Sequence, residues 1–235
     1  MVEHRTAEEV RDQHIRDMGP ELGAIYNVLY NDVAWLHAKW EQYRHLFAKS
    51  ERRIELLNET AAYFFRIIQD TVFEDIVLGL ARLTDPIQTG RGQKQQENLT
   101  LQRLPPLVSD AQLRLDLTGL VSAALDACAT PRAWRNKRLA HRDLAVALAT
   151  AGDPLAGISR ADVEVALAAL RDLLNKLEGY YWDSEVDYQM VLTNLGDADS
   201  LVHCLSKGLK AERAWRERLQ AGTPLPEDLA PEEEV

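Results

Sequence analysis

The sequence predicts an all-α protein, an antiparallel helical bundle with long amphipathic helices. Apolar residues recur at steps of three and four over long stretches, and no segment alternates with period two for long enough to make a convincing strand. No repeat with a period of about 20 to 50 residues is present, which disfavours a solenoid. The 235 residues, 46% hydrophobic and 27% charged, can bury a sizeable core without a disulfide or a metal ion.

The first three predicted helices follow one another closely. A charged helix near residues 6–18 ends at Gly19-Pro20, because proline suits a first helical turn and cannot continue the preceding one. The second helix has one apolar face, formed by Leu22, Tyr26, Leu29, Val33, Leu36, Trp40, Tyr43 and Phe47. The third, over about 50–84, is predicted to be central and most buried, with inward positions Ile54, Leu57, Ala61, Phe64, Ile68, Val72, Ile76, Leu80 and Leu83.

The middle of the chain is predicted from its breakers and caps. Asp85-Pro86 ends the third helix, and the polar stretch 88–97 indicates an exposed loop. Ser109 is the predicted N-cap of the next helix. Thr130-Pro131 has the pattern of an N-cap followed by proline at the first helical position, which predicts a helical segment over about 132–143.

Two more helices complete the predicted bundle. Ser159 with Asp162 three residues later predicts the start of an apolar helix, and a more polar helix covers about 198–220. Acidic residues crowd the last ten positions, which predicts a solvated end. We therefore expect an N-terminal helix (1–19), a helical domain (20–185), a C-terminal helix packed on that domain (186–220) and an acidic disordered tail (221–235).

Charge and cysteine content narrow the classes of function. The 27 basic and 37 acidic residues give a net charge of −10, which argues against non-specific coating of nucleic acid. Cys128 and Cys204 are far apart in sequence and form no Cys-x-x-Cys motif, so a reducing compartment is expected. No apolar run approaches the ~20 residues that span a bilayer. We expect a cytoplasmic protein without a membrane segment.

A run of cations in this acidic chain is the sharpest local feature. Residues 132–142 hold five basic side chains and no acidic one: Arg132, Arg135, Lys137, Arg138 and Arg142. Arginine offers a planar fork of donors to phosphate oxygens, and a histidine such as His141 can transfer a proton near neutral pH. The combination suits phosphodiester chemistry. The structural alternative is a solvated helix face with an incidental histidine.

Helix geometry sets a condition on such a site. On a regular helix, Arg135 and His141 are six residues apart and point about 120° away from each other. A working site therefore needs either a distorted helical turn or residues from a second chain.

Three motifs together indicate a family. Arg135, Asn136 and His141 form an arginine, a polar residue and, after a short spacer, a histidine; Arg82-Leu-Thr-Asp85-Pro86 ends the third helix and Asn98-Leu-Thr-Leu-Gln-Arg-Leu104 follows the loop. In these motifs the sequence resembles the HEPN superfamily of helical RNA-cutting and RNA-binding domains, and within it the AbiU-like abortive-infection group. The likeness covers roughly residues 20–185.

The resemblance implies a metal-independent endoribonuclease that needs no cofactor and works as a homodimer, with the two motifs facing each other across a cleft. In this scheme a 2′-hydroxyl of RNA attacks the neighbouring phosphate and leaves a 2′,3′-cyclic phosphate and a 5′-hydroxyl. His141 would transfer the proton, Arg135 would stabilise charge on the phosphate, and Asn136 would orient the histidine or the RNA.

Further residues receive supporting roles. Lys137, Arg138 and Arg142 are expected to bind RNA, with plain surface solubility as the alternative. Arg82 and Asp85, three residues apart at a helix end, are expected to pair with each other or with loop backbone near the site. A toxin or phage-defence protein of this kind would act on cellular RNA, with an antitoxin or a defence-system protein as a possible partner.

Other functions stay open. The same helical dimer could hold RNA or a partner protein without cutting, and a scaffold with an incidental basic motif is a third possibility. A metal site is not expected: His37, Glu41 and His45 share one helix face, but the two histidines are ~12 Å apart along the axis. The sequence lacks a P-loop for nucleoside triphosphate hydrolysis, a Gly-x-Ser-x-Gly serine esterase motif and a His-Glu-x-x-His zinc protease motif.

Overall fold

The computed structural model describes residues 5–90, 92, 95–139, 148, 157–188 and 196–229, and these residues are mainly helical. The all-α prediction is confirmed. The helices are α1 (Ala7–Met18), α2 (Pro20–Phe47), α3 (Glu51–Leu83), α4 (Leu104–Leu107), α5 (Ala111–Ala127), α6 (Ala129–Trp134), α7 (Arg160–Trp182) and α8 (Ala198–Gln220). Within the predicted exposed loop, β1 (Gln88–Thr89) and β2 (Gln96–Glu97) pair antiparallel as a short hairpin.

The chain divides into two compact units, each assembled from two segments. The first unit contains Met1–Glu41 and Thr71–Val191, and the second contains Gln42–Asp70 and Leu192–Val235. The helices α2 and α3 contribute residues to both units. The predicted limits at residues 19, 185 and 220 follow the order of the chain and stay a prediction.

In the first unit, α1 and α2 meet at a tight corner. Thr6 and Glu9 form a capping box at the start of α1, and Gly19 ends the helix with φ +89°, a conformation that glycine adopts without strain. At Gly23 the backbones of α1 and α2 come so close that a Cβ would lie 2.6 Å from Ile15 Cα and would overlap the His14 carbonyl. The absence of a side chain at Gly23 is therefore a condition of this packing.

The predicted apolar face of α2 is confirmed, because all eight of its residues, from Leu22 to Phe47, are buried. The prediction for α3 is wrong in one respect. Ala61 has φ −160° and ψ 67°, which breaks the helical phase, so Phe65 is buried whereas Phe64 is exposed. The exposed Tyr63 and Ile67 also contradict the expectation that α3 is the most buried helix.

A further part of the first unit's core comes from α5 and α7, which pack along each other. The side chain of Asp110 accepts a hydrogen bond of 2.7 Å from Leu113 N, so the N-cap of α5 lies one residue after the predicted Ser109. Ser159 and Asp162 form the predicted capping box of α7. The inward positions of α7 are all buried: Val163, Leu167, Leu170, Leu174 and Leu177.

In the second unit, α8 is fixed at both ends. Asp199 in its first turn accepts hydrogen bonds from Lys49 Nζ at 2.8 Å and from Arg53 Nη1 at 2.5 Å. Beyond its last turn, Pro226–Leu229 forms a 3₁₀ turn in which Asp228 accepts from Arg218 Nε at 2.7 Å. Residues 221–229 of the predicted disordered tail are thus folded back onto α8, because the acidic run offers a carboxylate to a helix-end arginine.

Over the described residues, no helix combines the length and the apolar character needed to cross a membrane.

The Gly23 contact yields a stability prediction. Gly23→Ala should lower the free energy of unfolding by about 1–3 kcal/mol, because the added methyl group meets backbone that cannot rotate away. Gly119→Ala is the matched control in the same unit, since a Cβ there meets nothing within 4 Å; it should raise stability by about 0.5–1 kcal/mol. Urea unfolding of both variants measures the difference. Equal effects would contradict the close approach of α1 and α2.

Candidate functional site

The basic motif begins where α5 ends. Cys128 has φ −94° and ψ 10°, and α6 starts directly after it, without a side-chain cap from Thr130. The predicted Thr130 cap is therefore wrong, and helix α6 begins two residues before Pro131. Its backbone continues into a π-helical turn over Arg135–Leu139. A π turn is wider than an α turn and is frequent at functional sites. A distorted turn, one of the two arrangements that a working site was predicted to need, is thus present at Arg135.

Arg135 is held by a carboxylate from the end of α3. Its Nη2 donates to Asp85 Oδ1 in an ion pair whose side chains are 26% and 11% exposed, respectively. The Nε atom of Arg135 is buried and has no hydrogen-bond partner. The pair therefore fixes the guanidinium at one edge and leaves an N–H donor unsatisfied.

The turn that carries Asp85 is held through its backbone. Gln102 Nε2 donates to the Asp85 carbonyl at 2.8 Å. Arg132, one turn before Arg135, donates to the carbonyl of Thr84 at 3.3 Å and to that of Leu125 at 2.9 Å. Two arginines of the motif thus bind consecutive residues at the end of α3, one through backbone and one through a carboxylate.

The motif after the loop closes the base of the hairpin. The side-chain Nδ2 of Asn98 donates to the Pro86 carbonyl at 2.8 Å, and the backbone N–H of Asn98 donates to the Ile87 carbonyl at 2.7 Å. Arg103 Nε donates to the Asn98 carbonyl at 2.5 Å, and Arg103 also pairs with Glu97 at 3.1 Å. These bonds fix the chain directly after Asp85, which gives the stretch from Asn98 to Leu104 a structural purpose.

Three motif side chains face solvent. Asn136, Lys137 and Arg138 are exposed on the π turn. The Arg138 Cζ atom lies 4.6 Å from the centroid of the Trp134 ring, a cation–π contact that holds the guanidinium near the helix surface. The turn therefore presents a basic surface beside the Arg135–Asp85 pair.

The remaining predicted site residues have other outcomes. His141 and Arg142 lie outside the described residues. The expected pairing of Arg82 with Asp85 is wrong: Arg82 Nη2 lies 3.6 Å from Asp32 Oδ2, and Asp85 binds Arg135. The reason is direction, since Asp85 lies past the last residue of α3 and is turned toward the motif helix.

Arg132, Gln102 and Thr84 were not predicted to support the site. Arg132 counted only as one more cation of the run, and Gln102 only as part of a family motif. A partner 50 residues away in sequence, such as Asp85 for Arg135, has no local signal. The adjacent Asp85-Pro86 helix end was the one feature that pointed to the correct place.

The thiol next to the motif is not a nucleophile at neutral pH. Burial raises the pKa of Cys128 to about 11, although hydrogen bonding to Thr84 opposes the shift. The protonated thiol therefore packs as a small apolar group under the α5–α6 junction.

A group of possible metal ligands lies in the second unit. Ligand atoms of His45, Asp197 and Asp199 lie within 4.8 Å of one another. Hydrogen bonds from Lys49 and Arg53 lower the pKa of Asp199 to about 2, and these two cations already neutralise its carboxylate. A divalent ion would have to displace them, so the cluster is better explained as the anchor of α8.

Comparison with known proteins agrees with this architecture. A family model described as AbiU2, a HEPN family, matches residues 19–200. The chain belongs to the AbiU2 HEPN family. No curated protein and no solved structure matches it. The AbiU2 match contains the whole described site, from Asp32 and Asp85 to the π turn, and leaves most of α8 outside it.

The ion pair at the centre of the AbiU2 site yields a stability prediction. Asp85→Asn should lower the free energy of unfolding by about 1–3 kcal/mol, because it leaves the half-buried Arg135 charge without its partner. Asp70→Asn is the control, since Arg66 and Asp70 form a surface pair that is 69% and 54% exposed; its cost should stay below about 1 kcal/mol. Urea unfolding compares them, and equal losses would show that the Arg135 pair contributes no more than a surface pair.

Proposed function

We propose that this AbiU2-family domain is a metal-independent endoribonuclease. The observation that supports the proposal is the position of Arg135, held by Asp85 on a π turn whose neighbouring side chains are exposed and basic. A guanidinium that is already ordered can stabilise charge on a phosphate without being reorganised during the reaction. Solvent-facing cations beside it bring a polyanion to the same place.

The hold on Arg135 is partial, and that supports a role toward phosphate. Asp85 accepts through one Nη atom, and the Arg135 side chain remains 26% exposed. Arginine carries five N–H donors, so a carboxylate on one edge leaves donors for phosphate oxygens. Asp85 is in this account a positioning residue, because it acts through Arg135.

The proposed reaction uses the RNA's own nucleophile. His141 takes the proton from the 2′-hydroxyl, the 2′-oxygen forms a bond to phosphorus, and the bond from phosphorus to the 5′-oxygen breaks. The leaving 5′-oxygen takes up a proton, which gives a 2′,3′-cyclic phosphate and a 5′-hydroxyl. Arg135 stabilises negative charge on the non-bridging oxygens, and Asn136 orients the histidine or the RNA.

Substrate and partners follow from the same site. Lys137, Arg138 and Arg142 bind the RNA backbone, and two copies of the chain form a homodimer in which their motifs face a shared cleft. In the cell such a protein would act as a toxin or phage-defence effector. An antitoxin or a defence-system protein would then restrain it, and expression of the wild type should be toxic unless His141 is replaced.

A second function is supported by the charge of the pair itself. Asp85 neutralises Arg135, and an arginine neutralised in this way also suits a purely structural role. The corresponding function is a helical module that binds RNA or a partner protein without cutting it. Binding without cleavage distinguishes it from the nuclease.

The nuclease proposal predicts a defined pattern of activity. Purified protein should cleave single-stranded RNA in the presence of EDTA, and both Arg135→Ala and His141→Ala should reduce the rate by about 10² to 10⁴-fold. Arg11→Ala, an exposed arginine on α1, is the control and should retain full activity. The measurement is product formation on a gel, with the cyclic phosphate identified by mass spectrometry. Loss of cleavage in EDTA, or an undiminished rate in the His141 variant, would contradict the mechanism.

The binding role of the π turn predicts a salt effect. Lys137→Ala and Arg138→Ala should each weaken RNA binding and reduce the slope of log Kd against log salt by about 0.7, the value for one lost contact with a single strand. Fluorescence anisotropy at salt concentrations between about 50 and 200 mM gives the slope. An unchanged slope in both variants would assign these side chains to solubility.

A further inference from the structure

Helices α2 and α3 lie side by side within the first unit and are joined by two ion pairs. Arg82 Nη2 lies 3.6 Å from Asp32 Oδ2, and Lys39 Nζ lies 2.6 Å from Asp75 Oδ2. Between these ion pairs Gly79 allows close contact, since a Cβ there would lie 2.5 Å from Leu36 Cδ2. The two helices are therefore in close contact, with one ion pair at each end of the contact.

Two apolar side chains are exposed between the ion pairs. Trp35 is 58% exposed and lies three residues after Asp32, and Leu78 is 41% exposed and lies three residues after Asp75. Residues three and four apart share a helix face, so Trp35 lies on the face of Asp32 and Lys39. Val28, one turn before Asp32 on α2, is 45% exposed on the same face. We call this surface the Trp35 face: Val28, Asp32, Trp35 and Lys39 of α2 with Asp75, Leu78 and Arg82 of α3.

The composition of the Trp35 face is that of an interface rather than of an ordinary surface. Scattered exposed apolar residues are common, but a tryptophan beside aliphatic side chains with charges at the rim is the usual arrangement of a binding hot spot. Trp35 leaves more than half of its surface outside the core of the unit. Covering this face would therefore bury apolar area without disturbing the fold.

The charges on the Trp35 face favour a second copy of this chain as its occupant. Each end of the face carries one carboxylate and one cation, so the face is neutral in a chain whose net charge is −10. Two identical chains repel each other over most of their acidic surface, but not here. A two-fold symmetric contact places a surface against itself, and a face whose charges balance around an apolar centre does not repel its copy.

The position of the face relates it to the site. Arg82, at one end of the Trp35 face, is three residues before Asp85, whose carboxylate holds Arg135. A contact made through this face therefore brings a second chain close to the turn that carries the proposed nuclease motif.

We infer that the Trp35 face is the surface through which two copies of this chain form the homodimer, an inference that rests on the dimer of the proposed function. Trp35 and Leu78 form its apolar centre. The ion pairs Asp32–Arg82 and Lys39–Asp75 form its rim.

Variants at the centre of the face test the inference in solution. Trp35→Glu and Leu78→Glu, both at exposed positions, should convert a dimer of twice 26.6 kDa into a monomer and weaken the dimer Kd by at least about 30-fold. Tyr63→Glu is the matched control, because Tyr63 is an aromatic residue 82% exposed on α3 in the second unit; it should remain a dimer. Sedimentation equilibrium of the full chain gives the masses, and circular dichroism verifies that each variant is folded.

Each outcome has a separate meaning. A wild-type monomer at micromolar concentration, or folded Trp35→Glu and Leu78→Glu variants that remain dimers, would overturn the inference. If the wild type cleaves RNA while both variants remain dimers, the nuclease stands and the face is wrong. If both variants become monomers and the wild type cleaves no RNA, the face stands and the nuclease is wrong.

Discussion

The ion pair between Arg135 and Asp85 is the interaction on which the described site depends. It connects the motif helix to the end of α3, over 50 residues of sequence, through two side chains that are largely withdrawn from solvent. Arg132 adds a second connection to the same helix end through the Thr84 carbonyl. Helix C-termini have unsatisfied carbonyls, and arginine side chains are suitable partners for them. The Arg135–Asp85 ion pair and the Arg132 hydrogen bond thus hold the end of α3 against the start of the motif.

The surroundings of the pair explain why three separate motifs belong together. Asp85 provides the carboxylate, and Gln102 and Asn98 fix the backbone around it. Arg103 closes the base of the hairpin that lies between Asp85 and Asn98. In the motif helix, Arg135 is the first residue of the π turn, and the basic side chains of Lys137 and Arg138 are exposed on the same turn. Each of these parts serves the same guanidinium, so the site is a property of the fold rather than of one short helix.

Much of the fold was predictable because helical periodicity is a local signal. The buried face of α2 and that of α7 follow directly from the spacing of apolar residues. Phe64 was wrongly placed in the core because the break at Ala61 shifts the helical phase. Alanine favours a helix, so the sequence gives no sign of a break there. The prediction for the end of the chain treated its acids as free charges; residues 221–229 are mostly exposed, but Asp228 pairs with Arg218.

The site was predictable only in part. The position of the motif and its basic character follow from the sequence, and so does the need for either a distorted turn near Arg135 or residues from a second chain. The partner of Arg135 does not, since the choice between Arg82–Asp85 and Arg135–Asp85 depends on the direction in which the chain leaves α3. Supporting residues such as Gln102 act through backbone contacts, which no pattern of residue types encodes.

The most direct test of this account is an observation of Arg135 itself. The Nε–H signal of Arg135 can be followed by NMR and assigned by its loss in Arg135→Lys. During titration with an RNA analogue that lacks the attacking 2′-hydroxyl and is therefore not cut, the account predicts that this signal shifts progressively as a phosphate binds the guanidinium of which the Nε–H is part. A signal that stays unchanged when the analogue is fully bound would show that Arg135 serves the fold alone.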